Sequence, residues 1–224
     1  MKYPDSKTYE KLYASYLLNN RSAQMLDKFQ FSAEKNPGDI IVLDLCCGAG
    51  RLSYMCAEYG FNVYSVDIDE DMAPKKCPGN MHVKISSVEN YLKNAVLYQD
   101  YATYDVIFCQ QAINYWFGKE HNTHPMVLAS MLVKGGQFIF NTFHNKPDKK
   151  GKMRSYSLKG NQYFEYSYIE KDVITHVQVC EGLPPHVTQF DWISPETFKK
   201  KLSIDFKVKI YKDGGSDLYV CTKR

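Results

Sequence analysis

No stretch of the 224-residue sequence approaches the ~18 uninterrupted apolar residues that a membrane-spanning helix needs. The opening MKYPDSKTYE has no apolar segment of the kind that marks a secretory leader. Neither a membrane span nor an export signal is expected, and the expected location is cytoplasmic. The seven cysteines (Cys46, Cys47, Cys56, Cys77, Cys109, Cys180 and Cys221) contain no C-x-x-C pair and are scattered along the chain. They read as free thiols that pack as small hydrophobes, not as a disulfide framework or a thiolate metal site. His121 and His124 have no acid or thiol in register with them, so no metal ion is expected. Excess charge of one sign is missing too: 28 Lys and Arg against 25 Asp and Glu leave +3, too little for a surface devoted to nucleic acid. What the composition does supply, 44% hydrophobic and 24% charged residues, suits a folded chain with one full core.

Along the chain, Tyr9, Leu12, Tyr13, Tyr16, Leu17, Met25, Leu26 and Phe29 fall at mostly three- and four-residue spacing and predict two N-terminal helices broken around NNRS. After the turn NPGD, strand-like and helix-like segments alternate. IIVLDL, NVYSVDI, HVKIS, YDVIFC and QFIFNTF read as strands; GRLSYMCAEYG, a short segment at DEDM, SVENYLKNAVL and roughly 121–133 read as helices. Such alternation specifies an α/β fold, a doubly wound and mostly parallel sheet. Beyond 144 the pattern changes to NQYFEYSYIE, KDVITHVQVC and HVTQFDWI, an antiparallel insertion with Lys171 and Asp172 at a turn. SPETFKKKL carries a Ser cap followed by Pro, and the chain ends in two strands joined around DGG. The expected organisation is one domain over 1–224: a helical cap at 1–38, a cofactor-binding core at 39–143, an antiparallel insertion or lid at 144–193, and a last helix with a terminal hairpin at 194–224.

The stretch VLDLCCGAG, followed by a helix and a second strand ending in Asp67, is a nucleoside-binding arrangement. Gly48 and Gly50 let a ligand approach the backbone, and Asp67 is placed to accept hydrogen bonds from ribose hydroxyls. A dinucleotide fingerprint would need a glycine where Ser53 stands. Asp44, four residues before Gly48, would repel a pyrophosphate and attract an ammonium group, which favours S-adenosylmethionine.

With YDVIFCQQAINYW and LVKGGQFIFNTF, these stretches resemble class I S-adenosylmethionine-dependent methyltransferases, whose first motif is an acid, any residue, then G-x-G-x-G; the resemblance spans about 42–143. Cys46 stands at the first of those glycines and Val133 at a usual proline. The resemblance implies a seven-stranded Rossmann-like sheet with an antiparallel last strand, and S-adenosyl-L-methionine as cofactor with S-adenosyl-L-homocysteine as product. It implies that Asp44, Cys46, Gly48 and Gly50 surround the methionine portion and Asp67 the ribose. Ile68, Ser87 and Val88 would lie beside the adenine, Gln110 would face the ligands, and Tyr16 and Arg21 would meet the cofactor carboxylate.

In-line methyl transfer needs alignment and exclusion of water more than an elaborate catalytic set. His144, following the fifth strand, is the candidate base. Gln111, Asn114, Tyr115, Tyr163, His176 and Gln189 are the candidate acceptor contacts, with Trp116, Tyr166, His186 and Asp191 near them. The basic segment HNKPDKKGKMRSYSLKG reads as a solvated loop or an anion-binding rim, so a small-molecule acceptor comes first and nucleic acid or a phosphorylated substrate second. An NAD-dependent oxidoreductase and a non-catalytic cofactor-binding protein are the alternatives. Monomer and homodimer both remain open.

Overall fold

A computed structural model describes residues 20–31, 34–97, 101–118, 124–143, 146, 149–158, 160–213 and 216–224. The main sheet takes β1 (Ile41–Leu45), β2 (Asn62–Asp67), β3 (Met81–Ile85), β4 (Tyr104–Cys109), β5 (Leu132–Phe143), β10 (Phe206–Asp213) and β11 (Ser216–Lys223) in the order β10-β11-β5-β4-β1-β2-β3. Strand β11 alone runs against the others. The α-helices among the described residues are α1 (Arg21–Leu26), α2 (Arg51–Glu58), α3 (Val88–Leu97), α4 (Ile113–Trp116), α5 (His124–Met131) and α6 (Pro195–Leu202).

Alternation along the central strands sends side chains into two cores. Leu43, Leu45, Ile107, Phe138, Phe140 and Tyr219 join Phe198 of α6 on one face, whereas Val42, Val106, Phe108, Ile139 and Val220 join Leu52 and Cys56 of α2 on the other. Burying each large apolar side chain contributes on the order of 1.5–3 kcal/mol. The sequence therefore reads apolar on both faces of β1 and β4, as a strand covered twice must. Ser194 Oγ accepts the Thr197 N–H at 3.1 Å with Pro195 at the first helical position, which starts α6 at the expected place.

A second, four-stranded antiparallel sheet follows β5: β6 (Lys152–Leu158), β7 (Asn161–Glu170), β8 (Val173–Cys180) and β9 (His186–Asp191). The turn between β7 and β8 puts Lys171 and Asp172 at φ 48° and 67°, left-handed as a tight hairpin requires.

Four expectations need correction. Residues 152–158, read as basic loop, are β6, an edge strand whose lysine and arginine mask its alternation. The DEDM segment forms no helix; Asp69 Oδ1 accepts the N–H groups of Asp71 (2.9 Å) and Met72 (3.3 Å), closing an Asx turn instead. β5 begins at Leu132, five residues before the expected start, with a register shift opposite Tyr104 to Val106. Finally, INYW forms the one-turn helix α4, too short to show a helical period.

Candidate cofactor and acceptor site

The chain turns away from β1 to β2 on one side and comes back to β4 on the other, so the crevice between the ends of β1 and β4 is the switch point where ligands of such sheets bind. Residues 46, 48 and 50 line its floor. Cys46, Gly48 and Gly50 all have left-handed φ (57°, 52° and 77°), which curls the loop back over the strand ends. For the glycines this is free; for Cys46 it costs about 1–2 kcal/mol. A Cβ on Gly50 would lie 2.4 Å from Pro74 Cγ, so that glycine is also needed for space. The neighbouring Cys109 thiol, together with burial, holds the Cys46 thiol well above the usual thiol range. All seven cysteines are free thiols, and neither residue 46 nor residue 47 is set up to act as a nucleophile.

Asp67 closes the loop from β2. Its Oδ2 accepts the Gly48 N–H at 2.7 Å and its Oδ1 the Asp69 N–H at 2.9 Å; burial still raises its pKa because those bonds only partly offset desolvation. Beside it, Ile68 leaves 61% of its surface exposed, an apolar face next to the acid. Ser87 Oγ accepts the Asn90 N–H at 3.2 Å and caps α3, while the Val88 side chain is buried in the core.

Asp44 is 1% exposed, and Ser53 donates to its Oδ2 at 2.6 Å while Ser65 donates to Ser53 at 2.8 Å. Its Oδ1 is buried and has no hydrogen-bond partner among the described residues. Burial pushes this carboxyl up to about 7. Such an oxygen is the feature a buried cation would complete, so the residues present fit a ligand with an ammonium group at this point.

Over the ends of the strands, Ser22 of α1 donates to Gln110 Oε1 at 2.7 Å and ties α1 to β4. Arg21 opens α1 and donates to Gln24 Oε1 at 3.4 Å. Gln111 has φ 56° and donates its N–H to Asn141 Oδ1 at 2.8 Å. Asn114 is engaged on both sides of its amide: it accepts from Thr142 Oγ1 (2.5 Å) and donates to the Asp191 carbonyl (3.0 Å), which binds α4 to β5 and β9. It is a brace between the two sheets, with its second N–H and second carbonyl lone pair not used by these two bonds. Tyr16 and His144 lie outside the described residues.

The inner face of the second sheet is the side that meets α4. Tyr115 packs edge-on against Phe190 at 5.3 Å, and its hydroxyl lies beside the Thr188 side chain and near Cys46, with burial raising its pKa. Register places His176 beside Thr188 and Ser167, and Gln178 beside Glu165. Within this layer His176 Nδ1 lies 2.6 Å from Ser167 Oγ, and Glu165 Oε1 accepts from Tyr156 (2.8 Å) and Gln178 Nε2 (3.5 Å). His176 Nε2 and Gln178 Oε1 are buried with no hydrogen-bond partner. Tyr163 shares the face but is stacked on Tyr156 at 5.1 Å and 2% exposed, a packing role. Gln189 is an outward residue of β9, donating to Thr175 Oγ1 at 3.2 Å, because one residue's offset from Thr188 turns a side chain to the other face. Glu165 and Gln178 were not among the sequence candidates, and Arg154 was counted only in the basic segment; the signal for Gln178 is a polar residue at an alternate position of the otherwise apolar VITHVQVC.

Residues 42–136 match the family described as "Methyltransferase domain". No curated protein sequence matches the chain. Among solved structures, an S-adenosylmethionine-bound amino pentose methyltransferase of calicheamicin biosynthesis from Micromonospora echinaspora superposes with a TM-score of 0.65 at 14% identity, covering 100% of both chains. An S-adenosylmethionine-dependent methyltransferase from Clostridium acetobutylicum gives 0.61 at 15% identity over 98% of this chain and 92% of its own. A sugar N-methyltransferase from Streptoalloteichus gives 0.62 at 14% identity over 94% and 92%. At these identities the structures share the fold.

Proposed function

We propose that this chain, an S-adenosylmethionine-dependent methyltransferase of the class I fold, methylates a small molecule held between the strand ends of the main sheet and the inner face of β6 to β9. When bound, the cofactor supplies a methyl group on a cationic sulfur, an electrophile open to a lone pair. Asp44 Oδ1 would take the ammonium end, the Gly48 and Gly50 backbone would pass beside the methionine portion, and Asp67 would accept from the ribose with Ile68 against the base. Arg21, Ser87 and Gln110 would complete the surround. The four strands act as a lid in one domain over 1–224, and Tyr115 joins lid to loop.

The observation that carries this reading is the polar layer of the lid. It presents unmet hydrogen-bonding atoms on His176 and Gln178, and Tyr115 of α4 packs against its Phe190 and stands near Cys46. Mixed charge on that face, Arg154 and Glu165 opposite each other in register, suits a small polar acceptor more than a phosphate backbone. Seven free thiols fit a reducing cytoplasm.

Calorimetric titration of the wild type should show binding of S-adenosylhomocysteine and none of NAD, with Asp67→Ala weakening the former about tenfold or more. A wild type that binds NAD and not S-adenosylhomocysteine refutes the reading. Tritiated methyl transfer into a filtered metabolite extract then identifies the acceptor.

A further inference from the structure

Resting on that reading, we infer that His176 is the proton acceptor of the transfer, and that the acceptor molecule therefore offers an N–H or O–H nucleophile. The imidazole is 7% exposed, on the inner face of β8. One ring nitrogen is fixed: Nδ1 lies 2.6 Å from Ser167 Oγ on the neighbouring strand. The other, Nε2, is buried with no hydrogen-bond partner among the described residues. Two tautomers satisfy the Ser167 contact. If the hydroxyl donated to Nδ1, Nε2 would carry an orphaned buried N–H; if Nδ1–H donates to the hydroxyl, Nε2 keeps a bare lone pair. A buried unsatisfied donor is the rarer and costlier state, which selects the second tautomer and leaves a base directed by its own hydrogen bond.

The placement serves the reaction. Thr188 pairs with His176 across the strands and lies beside Tyr115, and Tyr115 in turn stands near Cys46 of the loop. Charged and titratable groups around the ring are Glu165 on β7, Arg154 on β6 and His186 on β9; burial outweighs Glu165 and lowers the pKa of the ring below the usual imidazole value. As the acceptor's lone pair forms its bond to the methyl carbon, the carbon–sulfur bond breaks with its electrons left on sulfur. The proton released by the acceptor goes to Nε2 and then to solvent, so charge and atoms balance. Acceptors with no proton to lose, such as thioethers and tertiary amines, gain nothing from such a base.

The test uses the whole chain with 15N-labelled histidine and saturating S-adenosylhomocysteine. In long-range proton–nitrogen spectra, with His176 assigned through His176→Gln, Nδ1 should carry the proton and Nε2 none from pH 7 to 9; a proton on Nε2 in that range overturns the assignment. His176→Gln should bind S-adenosylhomocysteine within about twofold of wild type, showing an intact fold, yet transfer label at pH 7 about a hundredfold or more slowly. Its rate should climb steadily with pH to 9, where the wild type has levelled off; parallel pH profiles would mean a structural role only. Ser167→Ala, which frees the ring without removing it, should fall between the two. A wild type that transfers no label overturns the proposed function and this role with it, whereas transfer by a wild type whose Nε2 is protonated overturns this role alone.

Discussion

Ser53 gives its hydroxyl proton to Asp44 Oδ2 across 2.6 Å, and the other oxygen of that carboxylate has no partner. The residue that fails the third glycine of a dinucleotide fingerprint is thus the one that orients the acid of the loop. An acid held in this way is poised for a cation and is a burden until one arrives.

Asp44→Asn should separate binding from stability. The amide keeps the shape but loses the charge, so affinity for S-adenosylhomocysteine should fall about tenfold or more, the scale of a charge-assisted hydrogen bond. Thermal melts at pH 8 should show the ligand-free variant at least as stable as the wild type, because a desolvated carboxylate is gone. A variant markedly less stable and equal in affinity would remove Asp44 from the cofactor site.

Stability and binding should also depend on pH in opposite senses. Burial raises Asp44 from 3.8 to about 7, so its contribution is complete below about pH 4 and is lost as pH rises through 7. The gap in melting temperature between Asp44→Asn and wild type should therefore widen from pH 5 to pH 8. A bound ammonium group favours the carboxylate, so S-adenosylhomocysteine should bind more tightly as pH rises and release a proton near pH 6. Titrations in two buffers of different ionisation enthalpy measure that proton directly.

Cys46→Gly should keep or improve cofactor binding. The left-handed φ of 57° costs a side chain about 1–2 kcal/mol, and glycine removes that strain while losing the thiol contact with Cys109 and about 1 kcal/mol in chain entropy. Net stability should shift by no more than about 1 kcal/mol in chemical denaturation. Cys46→Val, β-branched at the same φ, should lose more than that, and a clear loss of cofactor affinity in the glycine variant would give the thiol a role in binding.

Gly50→Ala should be the damaging change in the loop. It meets both a φ of 77° and the Pro74 ring at 2.4 Å, and a loss of about 2 kcal/mol or more is expected in urea unfolding, with cofactor affinity reduced alongside. Gly48→Ala meets only Met72 Cε at 3.4 Å, so it isolates the backbone term and should cost less.

How much of this was legible before the fold was seen depends on the scale of the signal. The main sheet, the Ser194 cap and the turn at Lys171 and Asp172 follow from period, capping and turn chemistry that act within a few residues. The loop was legible because three left-handed positions in a row of five leave a sequence trace even when one is Cys46. By contrast β6 was hidden by its charges, and α4 by its length. Asn114 and Gln189 illustrate the harder limit: whether a polar side chain faces a ligand or braces a strand is set by partners such as Thr142, Asp191 and Thr175, brought close only by the fold. Likewise Glu165 and Gln178 are unremarkable in sequence and matter because register places them beside His176.

The Asn114 brace decides from which side the two sheets can part. Lifting β9 from the main sheet means breaking one of the two bonds of its amide, at about 1–3 kcal/mol for each buried group left unmet. β6, at the opposite margin, pairs with β7 alone. The second sheet is therefore sewn to the main one along the β9 side, while Arg154 and Tyr156 stand on the strand at its other margin.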